Sequence, residues 1–289
     1  MNSPPDNAKT GTKGQFEWDA QEELLPACWI PRNNTPHGSL GKPQEDSRVY
    51  SVEDSDHLRR RLLTCIEAAK ETICVSSFLV ADAEIVKALL QASNHQRRVY
   101  LLTASETQLL KEPREDSEFD QQRREEHLRL LRELAGHVLV RTGDNLHAKF
   151  LLTDPRTNAK GFLLTANLTS EALTRNPELA VELNRDEAYD LFRQFLIGFW
   201  EESQNELLSP DRLSTVKPWG EPRQWAPPKT LLSTTRGINT IRQTMLDLID
   251  LSDNEIILST YGIDAKHPVT LRLLKALRDG RKVRVLARP

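Results

Sequence analysis

The stretch "HAKFLLTD" sets an imidazole, an ammonium and a carboxylate, His147, Lys149 and Asp154, into a β-prone run. His147 and Lys149 stand two apart. On a strand, successive side chains alternate between faces, so both project from one side while Phe150 and Leu152 take the other, toward a core. Asp154 falls where the strand enters the turn "PRTNAKG". Lysine supplies charge and three donors to the non-bridging oxygens of a phosphate. An imidazole nitrogen can attack phosphorus and form a covalent intermediate. A carboxylate can fix the tautomer and orientation of that imidazole. The trio points to phosphoryl chemistry at a strand end.

The surrounding sequence supplies the elements that would hold such a site. "DSDHLRRRLLTCIEAAK" places Leu58, Leu62, Cys65, Ile66 and Ala69 on one helical stripe, with Asp54 or Ser55 as N-cap. "TICVSSFLV" reads as one buried strand, "AEIVKALLQA" as a helix and "RRVYLLTA" as a second buried strand. That order suggests a βαβ unit with a parallel sheet. Ser76, Ser77 and His147 are then expected to converge at the C-terminal edge of one mainly parallel sheet. The two serines read more readily as packing than as site groups. Further on, "RREEHLRLLRELA" is an amphipathic helix with a solvated charged face. "HVLVRT", "GFLLTA" and "ELAVEL" read as strands, and "DEAYDLFRQFLIGFWEES" as a helix. His57, His95, His127 and His267 fall in helix or loop patterns and read as surface residues, and His137 begins a strand.

With 289 residues, the chain suggests two units. Residues 1–47 read as a flexible extension whose apolar island "LLPACWIP" packs back on the protein. A first α/β domain is expected over 48–205. Pro210, Pro218, Pro222, Pro227 and Pro228 mark a linker over 206–232, and a second domain begins at 233. A net charge of −3 argues against a uniformly basic nucleic-acid coat, while leaving room for a local basic cleft. Cys28, Cys65 and Cys74 form no metal-ligand spacing; Cys65 and Cys74 sit in apolar patterns and read as buried thiols of a reducing compartment. The N-terminus shows no secretory h-region, and no run approaches 18 apolar residues. A cytoplasmic location is the expectation.

A long repeat follows. "ICVSSFLVADAEIVKALLQASNHQRRVYLL" aligns with "IILSTYGIDAKHPVTLRLLKALRDGRKVRVL", matching Ser76 with Ser259, Ser77 with Thr260, Phe78 with Tyr261 and Val99 with Val283. The offset of about 183 residues is that of a duplicated domain rather than a solenoid. The second copy stops at Pro289, straight after its second strand, which suggests a piece of a longer protein.

The pattern His-x-Lys-x4-Asp, followed by "TANLT" and "NPELAV", resembles the HKD motif of the phospholipase D superfamily. The resemblance covers about 48–289, as one complete half and the opening of a second. His147, Lys149 and Asp154 match the motif letter for letter. Thr165 and Asn167 match its Ser-x-Asn step, with Thr in place of the usual Ser and set about three residues later. Glu178 matches the later glutamate that supports the motif histidine. No second His-x-Lys occurs in the chain. The repeat offset would place one near residue 331, or the second half would come from another chain.

What the resemblance implies is a phosphodiesterase or transphosphatidylase of α/β fold. His147 would form a phosphohistidine, and the other half's histidine would protonate the leaving oxygen. Lys149, Thr165 and Asn167 would hold the phosphate, Glu178 would orient His147, and Asp154 would fix the strand end and the site's ionisation. Neither metal nor cofactor is implied. The substrate is a phosphodiester, either phospholipid or nucleic acid. The alternatives are a cytosolic nuclease module of a larger repair or defence protein and a catalytically dead scaffold. With one histidine, the chain alone is expected to be nearly inactive.

Overall fold

The computed structural model describes residues 48–51, 56–105, 118–144, 146–217, 230, 239–260 and 262–287. The expectations for residues 1–47, for Asp54 or Ser55 as a cap, and for linker residues 218–229 lie outside them. The described residues fall into two compact units, 48–230 and 239–287.

In chain order the first unit holds β1 (Val49–Ser51), α1 (His57–Ala68), β2 (Thr72–Ser77), β3 (Val80–Ala81), α2 (Ala83–Asn94) and β4 (Arg98–Ala104). There follow α3 (Glu118–Leu134), β5 (Leu139–Gly143), β6 (Phe150–Thr153), β7 (Lys160–Leu164), β8 (Leu168–Thr169), α4 (Ser170–Thr174) and β9 (Leu179–Glu182). Last come α5 (Arg185–Ile197), a π-helical turn (Gly198–Glu202), β10 (Asn205–Ser209) and β11 (Arg212–Thr215). Nine strands form one sheet in the order β1-β9-β7-β6-β2-β4-β5-β10-β11.

The fold is α/β, with a large central sheet flanked by helices. The sheet is mixed rather than mainly parallel. Its two parallel pairings, β2 with β4 and β4 with β5, lie at the centre, and its six other pairings are antiparallel. The reason is connection length. α2 and α3 carry the chain back across the sheet between β2, β4 and β5, whereas the turns at 154–159 and 210–211 are too short for a crossover.

Two boundaries also differ. "TICVSSFLV" is not one strand: β2 ends at Ser77, and Val80–Ala81 pairs instead with β8. The Ser77 hydroxyl donates to the Leu79 carbonyl at 2.6 Å and closes the bend between them. Residues 206–215, which composition assigns to the linker, lie mostly in β10 and β11, and β10 pairs with β5. Polar strand residues at the sheet's edge masked them. Thr230 donates its backbone N–H to Asp190 at 2.6 Å.

Both faces of the sheet are covered. Leu58, Leu62 and Ile66 of α1 recur every four residues and pack with Ile85 and Leu89 of α2, Leu130 and Leu134 of α3 and Leu173 of α4. Cys65, expected to be buried, is only half-buried at the rim of this layer. Phe195, Phe199 and Leu191 cover the opposite face with Cys74, Phe150 and Leu152. Full burial of one such side chain contributes roughly 2 kcal/mol. Gly161 lets β7 lie against β6, because a Cβ there would sit 2.2 Å from the Leu151 carbonyl oxygen.

His127, expected on the surface, is fully buried on α3. Its Nδ1 lies 3.0 Å from the Val80 nitrogen and 3.1 Å from the Val80 oxygen. Burial pushes its pKa down to about 4, against a smaller upward pull from Val80. Between that value and the ordinary 6.5, the unfolded chain binds more protons than the folded one. Stability is therefore full above about pH 6.5 and falls by roughly 3 kcal/mol toward pH 4. His127→Leu is expected to shrink the difference between urea unfolding free energies at pH 7 and at pH 4 by about that amount.

The second unit comprises α6 (Thr240–Leu251), β12 (Glu255–Thr260), α7 (Pro268–Arg278) and β13 (Lys282–Ala287). β12 and β13 are parallel. Ile256, Leu258 and Val283 pack against Ile249, Val269, Leu273 and Ala276, while Ile257 (73%) and Leu286 (72%) stay exposed on the other face. Ile73 pairs with Val99 in the first unit, and Ile256 with Val283 in the second.

Candidate active site

His147 and Lys149 lie in the approach to β6 rather than within it. The approach is nonetheless fixed. The Ser76 hydroxyl donates to the Ala148 carbonyl at 2.9 Å, and Leu164 donates to the Lys149 carbonyl at 2.9 Å. Because β6 runs antiparallel to β2, with Phe150 opposite Ser76, this segment emerges where β2 ends. Ser76, Ser77 and His147 therefore do converge at the C-terminal edge of β2. Both serines are fully buried and brace the edge rather than line it.

Lys149 is buried, and its Nζ donates to the His147 carbonyl at 2.8 Å while lying 3.4 Å from His147 Nδ1. The His147 ring is exposed on one side and rests on Phe78 on the other, with centroids 5.5 Å apart. Desolvation first, and then the Lys149 charge, hold its pKa below the ordinary imidazole value. At neutral pH the imidazole is neutral and so has a lone pair to offer.

Asp154 does not join this pair. It sits at the far end of β6, roughly 16 Å along the chain from Lys149 at strand rise. There its carboxylate accepts the backbone N–H groups of Lys70 (2.8 Å), Glu71 (2.7 Å) and Thr72 (3.0 Å). Burial alone would raise its pKa; those three donors and the charge of Arg97 outweigh it and hold the carboxyl below its ordinary value. Its φ of 46° turns the chain out of the strand, and its carbonyl accepts Thr157 and Asn158. This is a clamp on the start of β2.

Thr165 and Glu178 reach the same edge as His147 from β7 and β9. The Thr165 hydroxyl donates to the Glu178 carboxylate, and Thr165 N donates to the Leu179 carbonyl at 2.9 Å. Among the described residues, Glu178 bonds to Thr165 and not to His147. Asn167 is half-buried, and its Oδ1 accepts the Leu79 N–H at 3.4 Å. The site thus gathers around the bend Phe78–Leu79.

Sequence reasoning missed two features here. Phe78 touches both His147 and Lys149, and its only sequence signal was its match to Tyr261 in the repeat. Ser105 donates to Asp144, and Asp144 N donates to Gln204 at 2.9 Å, anchoring the turn that leads to His147. No pattern in the sequence marks that link. Among the described residues, no group of three His, Cys, Asp or Glu side chains is placed to hold a metal ion. None of the described helices is long and apolar enough to cross a membrane.

A family model described as "Cardiolipin synthase, PLD-like domain" matches residues 62–200, the span that carries this geometry. Residues 62–200 form a phospholipase D-like domain. No curated protein sequence matches the chain. Among solved structures, this phospholipase D-like chain is similar to Nuc from Salmonella typhimurium, a phospholipase D family member. The identity is 19%, over 51% of this chain and 90% of that one, with a TM-score of 0.41. NucT from Helicobacter pylori is 12% identical over 51% of this chain and 91% of that one, at a TM-score of 0.39. Phosphatidylserine synthase from Haemophilus influenzae is 11% identical over 69% of this chain and 45% of that one, at 0.44.

Proposed function

We propose that the chain supplies one half of a phosphodiester hydrolase or transferase site in which His147 is the nucleophile. The observation that carries this reading is the neutral imidazole of His147 held beside the buried ammonium of Lys149 at an open sheet edge. A phosphate drawn to that edge takes donors from Lys149, with Thr165 and Asn167 at its border. Facing the ammonium, Nδ1 acts as an acceptor. Moving Nζ onto the phosphate releases Nδ1 to hold the proton, which Glu178 can then orient, and leaves Nε2 to attack. A P–N bond forms as the P–O bond to the leaving group breaks, and an acid from a second half protonates the departing oxygen. Water or an alcohol then gives its proton to that same group and displaces His147. The chemistry requires no metal ion, and both phospholipid and nucleic acid present the phosphodiester it needs.

The second unit supports the duplicated-domain reading. Residues aligned by the repeat pair in the same register in both units, and parallel sheets are normally covered on both faces. The opposing histidine comes from such a second half or from a second copy of this chain.

The test is to trap the intermediate. The chain, at concentrations where two copies can pair, is incubated with bis-p-nitrophenyl phosphate, denatured at alkaline pH and digested. An adduct of the p-nitrophenyl phosphoryl group is expected on the peptide containing His147, and turnover is expected to survive excess EDTA. Specific activity that rises with protein concentration marks pairing of two chains. Turnover that EDTA stops, with no adduct, makes a metal-activated water the nucleophile and overturns the reading. Labelled phosphatidylglycerol vesicles and single-stranded oligonucleotides then separate the two substrate classes.

A further inference from the structure

We infer that Phe78 is a positioning residue for the reaction, the surface on which His147 and Lys149 are set relative to each other. This rests on the reading of His147 as the reacting group. The ring is buried just past the end of β2. Its centroid lies 5.5 Å from that of His147 at an interplanar angle of 54°, and Lys149 Nζ stands 5.9 Å from it. One aromatic side chain therefore bounds the imidazole and the ammonium together, at distances where ring and cation attract.

Phe78 can serve as a reference surface because it is itself fixed. Its carbonyl accepts the Thr103 hydroxyl at 3.1 Å, and its side chain packs against Ala104. Leu79, next in the chain, is held at both ends: its carbonyl accepts Ser77 (2.6 Å) and the Leu168 N–H (3.2 Å), and its N–H meets Asn167 Oδ1 (3.4 Å). A shift of Phe78 would thus move His147, Lys149 and Asn167 together. Removing the ring lets water reach the covered side of the imidazole and takes away one wall of the slot that holds the ammonium. Positional errors of about 1 Å in such groups can cost up to about a hundredfold in rate.

Among the described residues the charged groups around His147 are few, which makes its titration a clean reporter. Lys149 is the charge that acts on it. On its own segment Asp144 is taken up by Ser105, and on β9's approach Glu178 is taken up by Thr165. The β2 and β4 ends facing it carry Ser76, Ser77 and Thr103, none of which titrates near neutrality.

The experiment compares the full chain with Phe78→Leu and Phe78→Tyr by ¹⁵N-imidazole NMR titration, His147 being assigned from His147→Gln. In wild type, His147 is expected to titrate below the ordinary imidazole value. Phe78→Leu is expected to move that midpoint upward, toward the ordinary value, and Phe78→Tyr to restore it. With bis-p-nitrophenyl phosphate, kcat in Phe78→Leu is expected to fall about tenfold or more while KM changes much less. If Phe78→Leu does not fold, Phe78→Met takes its place. A folded variant whose His147 titrates as in wild type overturns the inference. The titration needs no turnover, so it fails or succeeds independently of the trapped adduct.

Discussion

His147→Ala is expected to lower phosphodiester turnover by at least about three orders of magnitude, because loss of a covalent nucleophile removes the first step altogether. The loss is measured at concentrations where the wild type turns over bis-p-nitrophenyl phosphate. The fold should hardly register the change, since the His147 ring is exposed on one side and, among the described residues, accepts no backbone N–H. Near-identical thermal unfolding of the two proteins checks that point. Lys149→Ala is expected to be comparably severe. Lys149→Arg is expected to recover little, because the ammonium occupies a buried slot between the His147 carbonyl and the Phe78 ring. A planar guanidinium needs a wider, differently shaped opening. Activity of His147→Ala within tenfold of wild type would remove His147 from the chemistry.

Asp154→Ala is expected to act on stability instead. The change strips the acceptor from three backbone N–H groups of Lys70, Glu71 and Thr72 and places alanine at φ 46°. Stranded donors and the strained backbone together cost about 3 kcal/mol or more. In a unit of this size that lowers Tm by about 6–12 °C. Asp154→Asn tolerates the positive φ and keeps one carbonyl acceptor, so its loss should be intermediate. Turnover per folded molecule in Asp154→Asn is expected to stay within about threefold of wild type. A folded Asp154→Asn chain without activity would return the carboxylate to the reaction. The clamp also predicts acid sensitivity. With its folded pKa depressed, Asp154 stabilises the chain above the ordinary carboxylate range, and that contribution is lost as pH falls through the lowered value.

The sequence carried the parts of this protein that local pattern can encode. The βαβ unit from Thr72 to Ala104, the hairpin at 154–159 and the His147–Lys149 pair were all legible from periodicity and spacing. The mixed sheet was not, because which strands become neighbours depends on contacts far apart in sequence. β6 inserts beside β2, and no residue of either strand announces that choice. His127 was misread for a related reason. Its helix is dense in charge, and only the approach of Val80 from another element shows that this one polar position faces inward. Asp154 was found for its motif spacing, yet its role became visible only when residues 70–72 arrived at its carboxylate.

The bonds that tie the bend and the clamp to the rest of the edge are long-range. Ser76 meets Ala148 across 72 positions, Thr72 meets Asp154 across 82, Leu79 meets Asn167 across 88 and Ser77 meets Leu168 across 91. Each closes a large loop whose entropy is lost before any contact repays it. High contact order of this kind slows folding. It also means the reactive edge has no local precursor: a peptide spanning 145–169 holds every motif letter from His147 to Asn167, yet has neither Phe78 to rest His147 on nor the N–H groups that Asp154 clamps. The edge is therefore expected to form late in folding and as a unit, when β6 and β7 dock on a β2 made some seventy residues earlier.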